Sequence, residues 1–163
     1  MDDSRRPFLA IYLNDHLAGA TGGVRLAHRA AQSHGDDPTG EEMARLTRQI
    51  AQDRRSLMQI MSELGVPLRR ARILLGALAE LAGRLKTNGR AFSRSPLNDV
   101  LELEAMLLGV AGKAACWRTL SALADHEPAL DGDRLAELER RAESQIAVLE
   151  DLRAQSAARV WTG

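Results

Sequence analysis

The single cysteine of this 163-residue chain, Cys116, has no internal partner. A disulfide framework is excluded, and the chain suits a reducing compartment. Aromatic residues make up only 3%, while alanine, leucine and arginine dominate; these lose little rotamer freedom in a helix, so an all-α fold is expected. No segment approaches the roughly 18 consecutive apolar residues of a membrane span. A net charge is also missing, because 22 basic side chains balance 22 acidic ones. A generic nucleic-acid binder normally carries a basic excess, which makes that class a poor match. The N-terminus places two acids before its arginines and breaks its apolar run at Asn14, unlike a secretion signal. The expected location is the cytoplasm, without a membrane.

What is present is the material of one folded unit. The 45% apolar and 27% charged content is ordinary for a globular protein, and a chain of this length can bury a full core. We therefore read residues 1–163 as a single helical-bundle domain.

Its organising stretch is 95–124. Ser95 as N-cap and Pro96 at the first helical position announce a helix start. Leu97, Leu101, Leu108, Ala111 and Ala115 then form one apolar face, with Val100, Leu103, Leu107, Val110, Ala114 and Trp117 on an adjacent one. So much apolar circumference predicts the central member of a bundle. Trp117 reads as core or interface packing, and Cys116 as a small buried apolar residue.

Before it, a first helix is predicted from Pro7 to about His34 with Ser4 as cap, its stripe being Leu9, Leu13, Ala20, Val24 and Ala27, with His16 among them. Within it, 18–23 is rich in glycine. Close approach of a neighbouring helix, or a local bend, is the simplest reading, because a phosphate-binding loop would need a preceding strand. After the break at 35–38, Thr39 and Glu42 fit a capping box. A second helix then carries Met43, Leu46, Ile50, Leu57, Ile60 and Leu64 on one face, with Asp53 among them, and stops at Gly65 and Pro67.

A shorter third helix is predicted from about Leu68 to Thr87. Its region holds Arg69, Arg70, Arg72, Arg84, Lys86, Arg90 and Arg94 against one acid, Glu80, either a solvated face or a surface for an anion or acidic partner. The last helix, about Arg134 to Val160, is capped by 131–133 and buries Leu135, Leu138, Ala142, Gln145, Leu149 and Leu152. If the third helix is a crossover, the four long ones run up, down, down, up, the order of a ferritin-like bundle. The alternative is a plain five-helix bundle.

The chain resembles a family of small bacterial all-helical proteins of unknown function, related in outline to ferritin-like bundles. Residues 12–19 (YLNDHLAG), 83–90 (GRLKTNGR), 94–97 (RSPL), Glu102-Leu103-Glu104 and Gly112-Lys113 carry the resemblance. It implies a fold and no particular activity.

A ferritin-like di-iron centre requires Glu-x-x-His pairs, and the chain has none. Taking the helix starts and a rise of about 1.5 Å per residue, His16, Asp53, Lys113 and Glu143 or Gln145 share one level. His28, Gln49 and Glu104 come out at a second. The first group is expected to be a structural polar network, since a buried charge needs a partner. Its sharper readings are a mononuclear iron, manganese or zinc site on His16, Asp53 and Glu143, or a catalytic His–Asp pair. The overall expectation is a non-catalytic bundle acting through homodimerisation or another protein. The alternative is a metal-binding or oxidoreductase-like ferritin-fold protein, and a third is anion or nucleic-acid contact through the basic segment.

Overall fold

A computed structural model describes residues 4–35, 38–69 and 96–162. Among them are four helices and no strand: α1 (Arg6–His34), α2 (Pro38–Glu63), α3 (Pro96–Ala124) and α4 (Gly132–Trp161). The crossover helix expected over 68–87 lies outside the described residues apart from Leu68 and Arg69, which are not helical.

Contacts between helix ends fix the directions. The last residue of α1, His34, places Nε2 3.9 Å from Asp99 in the first turn of α3. Near the other end, the Tyr12 hydroxyl donates to Thr119 Oγ1 at 3.1 Å. Thus α1 and α3 are antiparallel. Glu63, ending α2, meets Arg134 at the start of α4 at 3.1 Å, making those two antiparallel as well. With short turns joining α1 to α2 and α3 to α4, the order is up, down, down, up. The helices stand at the corners of a square: α1 packs along α2 and α3, while α4 packs along α3 and, over a shorter stretch, α2.

Local chemistry explains most boundaries. Gly65 takes φ +65°; its N–H bonds Ser62 O at 3.0 Å, and Val66 N–H bonds Met61 O at 2.8 Å. These two bonds form a Schellman motif, which satisfies the final carbonyls of α2 and is most easily closed by glycine. Asp131 caps α4 by accepting from Arg134 N at 3.1 Å. The Thr39–Glu42 capping box does not form. Because α2 already begins at Pro38, Thr39 is inside the helix, and Glu42 pairs instead with Arg45. Similarly α1 begins at Arg6, with Arg5 in the N-cap position and no side-chain cap bond there.

The stripes of α2 and α4 are buried as their spacing predicts, with Leu46 and Leu149 completely enclosed. The expectation for α3 is corrected. Its Val100–Trp117 face enters the core, but Leu108 is 74% exposed and Ala111 and Ala115 also face outward. A corner helix needs only one buried side, and apolar residues on a surface are not forced inward.

Candidate functional site

Asp53 projects from the middle of α2 into the bundle, where its carboxylate has no exposed surface. Oδ1 accepts from the guanidinium of Arg141 on α4, at 2.7 Å from Nε and again from the terminal nitrogen. Oδ2 accepts from Lys113 Nζ of α3 at 2.5 Å and from Gln145 Nε2 of α4 at 3.1 Å. Gln145 Oε1 accepts a second Lys113 proton, and its Nε2 also reaches Gln49 Oε1 at 3.3 Å. Every polar atom of Asp53 and Gln145 is therefore engaged, as a charge removed from water requires.

Asp53, Lys113 and Gln145 thus meet as expected, but the rest of the group differs. Gln49 belongs here, one turn from Asp53, and not to a second level. That second level does not assemble: His28 lies on the surface near Gln32, and Glu104 is exposed. Glu143 likewise faces solvent, on the outer side of α4. Arg141 completes the cluster. Its spacing, three residues after Leu138 and four before Gln145, puts it at the edge of the buried stripe and is the signal that could have found it.

His16 is near this centre without joining the carboxylate's hydrogen bonds. Its ring packs edge-on against Tyr12, with centroids 4.5 Å apart. Burial pushes its pKa below the ordinary 6.5, and Asp15 acts in the opposite direction. Lys113 is also pulled below the usual lysine value, first by burial and further by Arg141, with Asp53 opposing.

His16, Asp53 and Lys113 all contribute to the wall of one cavity of about 450 Å³ between α1, α2 and α3, within the range of small-molecule sites. Most of the wall is apolar, and much is glycine. Here the reading of 18–23 as a place of close helix approach is overturned. α1 continues as a helix through the segment, and a Cβ at Gly19 or Gly23, or at Gly109 or Gly112 on α3, would meet nothing within 4 Å. These glycines border open space. Arg54 stands at the same wall, its Nε donating to Thr21 Oγ1 at 2.9 Å. Trp117, 1% exposed, also lines the cavity, and its indole Nε1–H has no hydrogen-bond partner among the described residues.

Chemically, this is a site of donors. Asp53 has no lone pair left to act as a base, and burial raises the Cys116 thiol to about 12, which suppresses the nucleophilic thiolate. Among the described residues no three His, Cys, Asp or Glu side chains converge as metal ligands. The basic residues Arg70, Arg72, Arg84, Lys86, Arg90 and Arg94 lie outside the described residues, while Arg69 is exposed and its N–H donates to Asn14 Oδ1 at 2.5 Å. No described helix is long and apolar enough to cross a membrane.

No family model, curated protein or solved structure matches this chain.

Proposed function

We propose that the protein is a non-catalytic binding bundle that holds a small ligand in the cavity between α1 and α3. The observation that carries this is the glycine-bordered cavity itself. Four helical positions that could hold side chains have glycine facing empty space, and helical glycine costs roughly 0.5–1 kcal/mol relative to alanine. Filling the cavity is the test. Gly112→Leu should preserve helix content and abolish binding of a neutral naphthalene-sized alcohol, read from Trp117 fluorescence in a Trp161→Phe background. Absence of alcohol binding by the unfilled protein would remove the proposal.

Homodimerisation is the second reading, favoured by the outward strip of Leu108, Ala111 and Ala115 on α3. A strictly monomeric species in concentrated solution by sedimentation equilibrium would count against it. The helix order supports a ferritin-like relationship, although the polar centre pairs one carboxylate with two cations and so favours no metal-based oxidoreductase. A buried, unpaired Cys116 is compatible with the cytoplasm.

A further inference from the structure

We infer that the cavity's ligand is a small apolar monocarboxylate whose head group rests on Lys113; this builds on the binding role proposed above. The first support is the charge balance of the centre. The buried Asp53 carboxylate faces both Lys113 and Arg141, so one carboxylate meets two cations. An uncompensated buried charge is costly, and a bound anion would compensate it.

The second support is donor accounting. An ammonium has three N–H donors and no acceptor. Lys113 gives one to Asp53 and one to Gln145, which leaves one without a partner among the described residues, in a side chain that lines the cavity. An excess of one positive charge at this centre suits a monoanion such as a carboxylate; a dianionic phosphate would bring more negative charge than the centre compensates. Arg54 and Asp15, also on the wall, carry opposite charges and leave the excess centred on Lys113. The remaining wall, including Ile50, Leu57 and Met106, favours an apolar body through surface removed from water.

Paired probes of one shape separate this inference from the broader reading. Naphthalene-2-carboxylate and 2-naphthalenemethanol would be titrated at pH 7.5 against the Trp161→Phe protein, by Trp117 fluorescence and calorimetry. The carboxylate should bind about tenfold or more tighter, the range of a charge-assisted hydrogen bond. Lys113→Met should erase that preference. Equal binding of both probes by the Trp161→Phe protein would overturn the inference and leave the cavity reading standing. Binding of neither would overturn both. The comparison of the two probes on the Trp161→Phe protein with Lys113 in place decides even if Lys113→Met does not fold.

Discussion

Lys113 of α3 and Asp53 of α2 meet at 2.5 Å although their helices stand on opposite corners of the bundle. The pair joins the two halves of the square, since Asp53 also holds Arg141 of α4. We expect Asp53→Ala to cost about 3–5 kcal/mol, because it leaves two partly buried cations without their carboxylate. Adding Lys113→Met should recover part of the loss, as only Arg141 is left, and its partly exposed side chain can turn its head toward water. Urea unfolding of the single and double variants measures the coupling. Additive losses would mean that the two residues are not energetically linked.

Two glycine-to-alanine substitutions should have opposite signs. A Cβ at Gly40 would overlap the carbonyl oxygen of Gly35 and lie 3.2 Å from the His34 carbonyl carbon. Gly40→Ala should therefore destabilise by about 1–3 kcal/mol, as other overpacking changes do. At Gly23, helical and without a neighbour within 4 Å of its Cβ, alanine should stabilise by about 0.4–1 kcal/mol by restricting the unfolded chain. Thermal unfolding of both variants is sufficient to check the signs.

The helices of high contrast were legible in the sequence. In α2 and α4, every third or fourth residue is apolar and the remainder largely charged, so one face could be assigned inward. In α3 that contrast vanishes. Leu108, Ala111 and Ala115 are as apolar as the buried side, and only the square packing shows that they point outward. Asp53, Lys113 and Gln145 could be brought together by rise per residue alone. Arg141 escaped because a long cation can bury its stem at the edge of a core while its head finds a carboxylate. The cavity was illegible for a different reason: glycine spacing is the same whether a neighbouring helix approaches or space is left open.

Weak acid should destabilise the protein through His16. Burial lowers its folded pKa below the unfolded value of 6.5, so on acidification the unfolded chain takes up the proton first. Linkage then makes this stability contribution complete above pH 6.5 and lost as pH falls through the folded value. We expect the urea midpoint to fall more between pH 7.5 and pH 5.5 for the unsubstituted protein than for His16→Gln. Equal falls would show that His16 titrates alike in both states.

Cys116 should report the opening of the α1–α3 interface. Its side chain is 1% exposed, and burial drives the thiol from 9.0 to about 12, although a hydrogen bond with Tyr12 acts in the other direction. At pH 8 the folded protein should therefore react with an aromatic disulfide reagent only by exposing the thiol in an opened state, because the thiolate is the reacting species. When reclosing outpaces reaction, the labelling rate follows the population of the open form. Asp53→Ala, by reducing stability, should increase that rate tenfold for each roughly 1.4 kcal/mol lost if the exposing event is global unfolding. A smaller increase would identify a local opening that leaves the Asp53 centre intact. Complete labelling of the folded protein within seconds would contradict the buried placement of Cys116 and the packing of Tyr12 beside it.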